Sequence, residues 1–473
     1  MSKKQVLYGP DDTPPIPVTL LAGAQHVLTL FGATTLVPLI LGPAMGMDAG
    51  QVARFIGCVY FSMGIATLIQ TSRAFGSGLP IVQGSSFSFI PPIMTVIGAY
   101  SALGPDGVMQ YIGGGLIVGG ILLALLGHSG LVGVVRKVVT PVVIGPTIMA
   151  IGFSLASTAV GSASQFWPIS LLEVVLIIVF SLIVKRKAVN MFAVIAAIAI
   201  VYLICVAASE LGWVGAGHPI YVDFQNVAAA PVWRLDVFMP WGAPKFSFLA
   251  VSALLAGFFA AMIESIGDYH SCSYVSGLDD PSGATIGGGI RAEGLGCLLG
   301  GLFGSVGTTS YTENIGLIGL TRMASRNVVR TGAVILICMS MFGKLGALIA
   351  TMPAPVIGGA YLALFGTIGA LGIQVLTRAD LGSQRNIMIV GLSFLMALGL
   401  PGWVGQDSVK EALTSSEYGE ILSTLGSMVW AILKTPMAVA GLCAALCDSI
   451  IPGTDAERGV VSDAQSASAR EKN

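Results

Sequence analysis

The stretch from residue 304 to 326 places a carboxylate, Glu313, inside an apolar segment of membrane-spanning character. An acidic group near the centre of a bilayer costs roughly 2.5–3.5 kcal/mol on insertion scales unless it faces a partner, a cavity or a ligand. The apolar part, 308–321, has about 14 residues, whereas a helix needs ~20 to cross a bilayer. We therefore expect an extended lead-in and a half-helix beginning near Glu313 or Asn314, with its N–H groups aimed at a ligand.

A second interrupted segment, residues 79–92, has the same design. It passes through Gly84 into a short helix that Pro91 and Pro92 begin or bend. Paired broken segments in corresponding positions of two halves indicate the central site of a transporter.

The composition confines the chain to a membrane. Hydrophobic residues make up 54% of it and charged residues 10%, against ~25% charged in soluble domains. The net charge of -1 gives no reason to expect a nucleic-acid partner. The partner predicted from composition is the lipid bilayer.

The order of apolar windows predicts an all-α polytopic fold of fourteen segments, the third and tenth broken and containing short extended stretches. The windows are 17–41, 51–72, 82–98, 108–127, 138–157, 167–184, 189–211, 247–276, 288–303, 308–321, 328–350, 353–375, 386–400 and 421–449. The polar link 212–246 divides them into two sets of seven. Because seven is odd, the second set must insert upside down, which gives a 7+7 inverted repeat.

The placement of Lys and Arg predicts a multi-pass protein of the cell inner or plasma membrane with both termini in the cytoplasm. The polar N-terminal segment leads into a full-length span and shows no cleavable signal, so the first span is expected to insert intact. From Gly453 onward the chain is polar and is expected to be a disordered tail.

The eighth window carries two carboxylates, Glu264 and Asp268, which a helix places one turn apart on one face. Repulsion and desolvation favour a proton on at least one of them near neutral pH. The alternative is that Asp268 and His270 lie in water at the cytoplasmic end of the span.

The first window contains Gln25 and His26. If spans 1 and 8 are repeat mates, His26 can meet the carboxylates; otherwise it is a buried packing residue. Glu173 and Glu210 are expected at the membrane interface, since both lie near span ends.

The sequence lacks a nucleotide-binding loop, a Ser/His/Asp set and Cys/His metal spacing. We therefore expect no enzyme activity, no catalytic residue, no metal and no cofactor. The function classes that remain are transport coupled to an ion gradient and passive conduction through a channel.

The tenth window and its flanks resemble a known family signature. The motif Glu313-Asn314-x-Gly316-x4-Thr321-Arg322 is similar to that of the nucleobase/ascorbate transporters, also called the second nucleobase cation symporter family, of the uracil/xanthine permease type. Three further matches occur in order along residues 15–450: Gln25-His26, Gly84-Ser85-Ser86-Phe87 and Glu264.

The resemblance implies a core domain that carries the site and a gate domain against which it moves as in an elevator, usually in a homodimer. The implied divisions are 1–16 (cytoplasmic segment), 17–127 (core, spans 1–4), 128–211 (gate, spans 5–7), 212–246 (external linker), 247–351 (core, spans 8–11), 352–450 (gate, spans 12–14) and 451–473 (polar tail).

By position, the resemblance assigns the substrate to Glu264 and Glu313, with the backbone of Phe87 and Thr312 and the neighbouring Asn314. Coupling, expected to use a proton, falls to Asp268, Glu264 or His26. Glu at 313 resembles the uracil branch, whereas Glu264-x3-Asp268 resembles the purine and ascorbate branches. The expected function is uracil import by proton symport; the alternatives are a xanthine/urate-type permease and a channel-like or anion-exchanging relative.

Overall fold

A computed structural model describes residues 6–130, 138–186, 189–190, 192–234, 236–415 and 420–459. Within these ranges the regular secondary structure is helical apart from two short strands. The elements are α1 Ile16–Ala44, α2 Ala49–Gln70, β1 Gln83–Ser85, α3 Ile90–Tyr100, α4 Gly104–His128, α5 Pro141–Ser154, α6 Ala156–Ala163, α7 Trp167–Ile178, α8 Ala193–Glu210, α9 Gln225–Ala229, α10 Phe248–Val275, α11 Gly283–Leu302, β2 Thr308–Ser310, α12 Thr312–Thr321, α13 Arg326–Ser340, α14 Gly343–Ala350, α15 Ala354–Leu376, α16 Gln384–Val404, α17 Asp407–Thr414, α18 Glu420–Leu433 and α19 Pro436–Ile450.

The helices confirm the predicted all-α membrane character. Among the described residues, eight helical stretches are long and apolar enough to cross a membrane, or nine if one bent pair counts as a span. The predicted number of fourteen spans goes beyond this and stays a prediction.

The last predicted window, 421–449, was expected to be one continuous span. The structure instead bends by 93° between Leu433 and Pro436. Thr435 has φ -100° and ψ 106°, outside the helical region, because a proline disfavours helical backbone in the residue before it.

The two strands pair antiparallel, with Gln83 opposite Ser310, Gly84 opposite Thr309 and Ser85 opposite Thr308. A short helical segment follows each strand: the 3-10 turn Phe87–Phe89 and α3 follow β1, and α12 follows β2. All six strand residues are buried. The ladder satisfies backbone groups that an extended segment would otherwise bury unpaired.

Small residues allow the helices around the strand pair to approach closely. The carbonyls of Gly120 and Gly294 each lie within 2.6 Å of the position that a Cβ on the other glycine would occupy, where α4 crosses α11. Helix α13 packs against α1 and α2, and α5 packs against α15 and α19. The central cleft lies where α5 and α15 face the strand pair and α10.

The tail from Gly453 was expected to be disordered, and this is wrong for its first part. Residues up to Gly459 form a turn in which Arg458 binds Asp448 at 2.7 Å and Asn386 Nδ2 donates to the carbonyl of Glu457 at 2.7 Å. An ion pair to a buried carboxylate orders the backbone that carries Arg458. Residues 460–473 lie outside the described part.

The expectation for Glu173 is also wrong, because its side chain is fully buried in α7 rather than interfacial. Its carboxylate packs against α15, where a Cβ built on Gly359 would lie 3.0 Å from Glu173 Oε2. The helix begins only six residues earlier, at Trp167, so closeness to a helix end did not indicate exposure. Glu210 is exposed, and its place at the membrane interface stays a prediction.

Candidate functional site

The site begins at the contact between the two strand–helix units. A Cβ on Gly84 would lie 2.0 Å from the Tyr311 ring, so only glycine lets the strands approach at this point. The Tyr311 hydroxyl donates to the carbonyl of Ser85 at 3.0 Å and accepts from Thr34 at 3.0 Å. Tyr311 therefore fixes β1, the start of α12 and α1 relative to one another.

A cavity of about 320 Å³ opens beside this junction. Three of the predicted carboxylates, Glu264, Asp268 and Glu313, line it together, as do Phe87 and Thr312. Three carboxylates give this small cavity strong hydrogen-bond acceptors. Such a cavity favours the uptake of a proton or the binding of a ligand that donates hydrogen bonds. The cavity also has apolar walls from α5 and α15, among them Ile148, Ile151 and Leu371.

Asp268 is held by hydroxyl groups of the second unit. Its Oδ2 accepts from Ser310 Oγ at 2.6 Å and its Oδ1 from Thr312 Oγ1 at 2.8 Å. The residue is 5% exposed. The alternative that Asp268 stands in water is therefore wrong, whereas His270 is partly exposed and faces Asp280 at 3.1 Å.

Backbone donors also border the cavity. The N–H groups of Phe87 and Thr312 have no acceptor in the part of the chain that the structure describes. Both lie in the first turn of a short helical segment, where N–H groups are unsatisfied and the dipole is positive. They can donate to carbonyl oxygens of a ligand in the cavity.

Phe87 closes one side of the cavity against the facing helix α15. Its ring meets Phe365 edge to face, with centroids 5.3 Å apart, and Phe365 stacks on Tyr361 at 5.1 Å. This aromatic cluster joins the strand–helix unit to α15 and offers a planar ligand a ring to pack on.

His26 and Asn314 bind each other rather than the cavity. Asn314 Nδ2 donates to His26 Nδ1 and to the His26 carbonyl, both at 3.0 Å. Neither residue lines the cavity. The expected contact of His26 with the carboxylates is therefore absent among the described residues, and Asn314 places its side chain behind the site.

The remaining motif residues shape the ends of the two units. The Ser86 hydroxyl caps the 3-10 turn by accepting a hydrogen bond from the backbone N–H of Ser88 at 3.2 Å. Ser85 Oγ donates to the Thr34 carbonyl at 3.1 Å. Thr321 Oγ1 donates to the Leu317 carbonyl at 2.9 Å, and Arg322 ends α12 in the left-handed region with φ 59°.

Two other motif positions, Gly316 and Gln25, do not line the central cavity. A second cavity of about 240 Å³ meets α12 on the side of Gly316, and Glu313 borders it as well. Apart from the neighbouring backbone of its own helix, no atom lies within 4 Å of a Cβ built on Gly316. Gln25 lines neither cavity.

The sequence reasoning missed a further carboxylate beside the site, Glu293 of α11, which is fully buried. Tyr269 OH donates to its Oε2 at 3.4 Å, and its Oε1 has no partner among the described residues. The signal that could have found it is the rule applied to Glu313, an ionisable residue inside an apolar, glycine-rich segment.

A basic residue was also missed. Arg378, which follows α15 and is exposed, lines the mouth of the central cavity with Gln374 and Thr377. Within the described ranges no cluster of three or more His, Cys, Asp or Glu has a metal-binding arrangement. The expectation that no cofactor is needed stays a prediction.

Comparison with known proteins decides the family. Residues 18–405 match the model of the permease family Xan_ur_permease. This chain belongs to that permease family. The match confirms the resemblance inferred from the motifs around Glu313 and Glu264, because the similar proteins include nucleobase/ascorbate transporters.

Two relatives of this permease illustrate the similarity. The human "Solute carrier family 23 member 2" is 31% identical, over 97% of this chain and 76% of the relative. "Nucleobase-ascorbate transporter 12" of Arabidopsis thaliana is 30% identical, over 97% of this chain and 72% of the relative. The permease is accordingly a membrane transport protein with a small-molecule substrate.

Solved structures show the same fold at low identity. The transmembrane domain of the cyanobacterium bicarbonate transporter BicA aligns with a TM-score of 0.55 at 14% identity, covering 90% of the permease and 100% of that chain. Murine Solute Carrier 26 family member A9, an anion transporter in its inward-facing state, aligns with a TM-score of 0.58 at 12% identity, covering 89% and 69%. These likenesses concern the fold alone.

Proposed function

We propose that this permease is a secondary active transporter that imports uracil together with a proton. The observation that carries the proposal is the central cavity, where Glu264, Asp268 and Glu313 converge on the unsatisfied N–H groups of two short helical segments. Uracil presents ring N–H groups and ring carbonyls on one small plane, and such a site complements both.

In the proposed complex, Glu264 and Glu313 accept from the ring N–H groups, while the backbone N–H groups of Phe87 and Thr312 donate to ring carbonyls. The Phe87 ring packs on the base. A charge-assisted hydrogen bond of this kind contributes about 1.5–3 kcal/mol.

Asp268 is the proposed coupling residue, and the hydroxyls around it support this role. Ser310 Oγ lies 2.6 Å from Asp268 and also 3.0 Å from Ser265 Oγ, which in turn lies 3.0 Å from Thr309 Oγ1. Hydroxyls both donate and accept. When Asp268 takes up a proton and donates to Ser310, the Ser310 hydroxyl can turn to Ser265 without losing a partner.

The hydroxyls of Ser310, Ser265 and Thr309 lead from Asp268 to a second carboxylate, Glu293. The side chains of Ser265 and Thr309 border Glu293, and one of its oxygens has no partner among the described residues. A buried, half-satisfied carboxylate is a favourable proton acceptor. We propose that Glu293 stabilises the proton that enters through Asp268.

His26 is the less favourable candidate for coupling. Two acceptors, His26 Nδ1 and the His26 carbonyl, face the same amide nitrogen of Asn314. That orientation requires Nδ1 to be unprotonated, so protonation there would replace a hydrogen bond with a donor–donor contact.

The alternative substrate is an oxopurine such as xanthine or urate. A cavity of about 320 Å³ is large enough for a bicyclic ring as well as for uracil, since small-molecule sites begin at roughly 300 Å³. The relatives' names join nucleobases with ascorbate, which widens the set of ring substrates to test. Among these, the acidic lining favours ligands that offer several N–H donors.

We further propose the arrangement in the membrane. The core domain comprises spans 1–4 and 8–11 of a fourteen-span inverted repeat, and it shifts against a gate domain of spans 5–7 and 12–14. The antiparallel pairing of β1 with β2 supports two oppositely inserted repeats. Homodimerisation, cytoplasmic termini and a plasma-membrane location belong to the same proposal.

The deciding experiment is uptake of radiolabelled uracil into energised vesicles, in competition with unlabelled xanthine, hypoxanthine, urate and ascorbate. Uracil import predicts saturable uptake that unlabelled uracil abolishes and the other compounds affect weakly. Stronger competition by xanthine or urate would assign the permease to the purine alternative.

A further inference from the structure

A third cavity, of about 430 Å³, continues the cleft beyond the central one. The two cavities share their walls: Phe87 and Ile151 line the central cavity, and Pro91 and Leu155 line the third. Residues four apart on a helix are separated by about 6 Å along its axis. A layer about one helical turn thick therefore separates the two cavities.

Two ammonium groups converge on a single indole in this third cavity. Lys410 Nζ lies 5.3 Å and Lys434 Nζ 5.2 Å from the centroid of Trp430. Trp430 is buried and its Nε1 donates to the carbonyl of Val404 at 3.0 Å, so the ring is fixed. The indole holds both cations beside the cavity through cation–π attraction.

Neither lysine is engaged by a neighbour among the described residues. Among the residues that the structure describes, neither ammonium has an ion pair or a hydrogen bond, and both residues line the cavity. Lys434 is half-buried and Lys410 exposed. Asp407 also lines this cavity, which leaves two positive charges against one negative charge.

This lining differs in sign from that of the central site, where three carboxylates meet. Partial burial lowers the local dielectric and strengthens attraction between an ammonium and an anion. The opposite wall is apolar, formed by Ile90, Pro91 and Met94 of the strand–helix unit. A flat ligand with anionic oxygen could place its edge on the lysines and its face on this wall.

We propose that the third cavity is a second binding site, selective for a small planar organic anion of the urate type, at the end of the cleft away from Arg378. The predicted topology puts this end outside the cell. The proposal rests on the proposed function only in that the permease handles small planar rings. Neutral uracil gains little from two ammonium groups, so the site discriminates by charge.

The test is equilibrium binding of radiolabelled urate to purified full-length permease carrying Glu264→Gln, which disables the proposed central site. Saturable binding should persist in this variant and weaken as salt is raised, because screening opposes a charge-based site. Adding Lys410→Gln and Lys434→Gln should weaken binding at least about tenfold, the loss expected for one charge-assisted contact.

Three controls make the outcome specific. Lys410→Arg with Lys434→Arg should retain binding, since the charge is kept. Lys245→Gln, which removes an exposed lysine outside this cavity, should change nothing. Unlabelled uracil should not displace urate.

Unchanged urate affinity after loss of both lysines would overturn the proposal, as would displacement by uracil equal to that by urate. Absence of saturable urate binding in the Glu264→Gln protein would also overturn it. Failure of uracil uptake in vesicles would refute the proposed function while leaving this binding result intact, so the two outcomes are distinguishable.

Discussion

Asp268 accepts a 2.6 Å hydrogen bond from Ser310, and this contact joins the helix that carries Glu264 to the strand that precedes Glu313. A change of charge on Asp268 therefore affects both proposed substrate ligands, Glu264 and Glu313. This relationship supports a coupling role for Asp268 and a binding role for the two glutamates.

We expect Asp268→Asn to keep counterflow exchange of substrate while losing accumulation against a gradient. The amide cannot take up and release a proton, although it can still accept from one of the two hydroxyls. Initial rates and steady-state accumulation in energised vesicles measure the two properties. Asp280→Asn, at an exposed carboxylate, is the matched control and should behave as the parent.

In the parent protein, uptake should rise as external pH falls from about 8 to 6, a window chosen because burial shifts carboxylates toward neutral pH. It should collapse with a protonophore. Dependence on sodium with no response to the protonophore would contradict proton coupling, and an accumulating Asp268→Asn protein would place the coupled proton elsewhere.

Glu264→Gln and Glu313→Gln should each abolish or severely impair uptake without lowering expression. Loss of one charge-assisted hydrogen bond corresponds to about 1.5–3 kcal/mol, or roughly 10- to 150-fold in affinity. Substrate affinity is measured by binding to purified protein and expression by immunoblot. Glu210→Gln, at an exposed residue, should leave both unchanged; normal affinity in either site variant would remove that residue from the site.

The substrate selectivity of Glu313→Gln tests whether residue 313 recognises the ring of the nucleobase. An amide both donates and accepts, whereas a carboxylate only accepts. Any activity left in this variant should therefore shift toward oxopurines, measured as the ratio of xanthine to uracil competition. A ratio equal to the parent's would show that Glu313 does not discriminate among bases.

Gly84→Ala should weaken the junction of the two strand–helix units. A methyl group at this position would lie 2.0 Å from the Tyr311 ring, and overpacking of a tight contact costs about 1–3 kcal/mol. We expect a lower unfolding temperature in detergent and loss of uptake. Gly316→Ala is the control for folding, because its Cβ position has no atom within 4 Å apart from the neighbouring backbone of its own helix. Equal loss of stability in both variants would contradict the packing argument.

The grouping of the three carboxylates at the candidate site was largely predictable, because charged residues are unusual in such apolar segments. Carboxylates at 264, 268 and 313 stand out in apolar segments, and glycine and serine at 84–86 interrupt a span, so local sequence sufficed to find them. The pairing of β1 with β2 then follows from the need to satisfy buried backbone groups. Predictions failed where a residue's surroundings come from distant helices.

Glu173 and His26 illustrate that limit. Glu173 is buried by α15, which begins just over 180 residues later in the chain, and no local pattern reveals that neighbour. His26 turns to Asn314 instead of the carboxylates because Asn314 offers its amide from α12. Tertiary contacts of this kind decide whether a polar residue is a ligand, a support or an isolated buried group.

The stability of the last helices should depend on Asp448. Its carboxylate is fully buried and binds Arg385 at 2.8 Å and Arg458 at 2.7 Å, while Thr140 Oγ1 donates to it at 3.0 Å. Removing one partner of a buried ion pair typically costs about 3–5 kcal/mol, because an uncompensated charge stays buried. Asp448→Asn should therefore lower the unfolding temperature in detergent markedly.

Arg458→Gln should cost less than Asp448→Asn, because Arg385 still neutralises the carboxylate. Asp455→Asn, at an exposed position of the same turn, is the matched control and should leave the unfolding temperature within error of the parent. If Asp448→Asn unfolds at the parent's temperature, the cluster does not hold α16, α19 and the terminal turn together. A loss in Arg458→Gln as large as in Asp448→Asn would instead show that the turn at 454–459, rather than the buried charge balance, carries the stability.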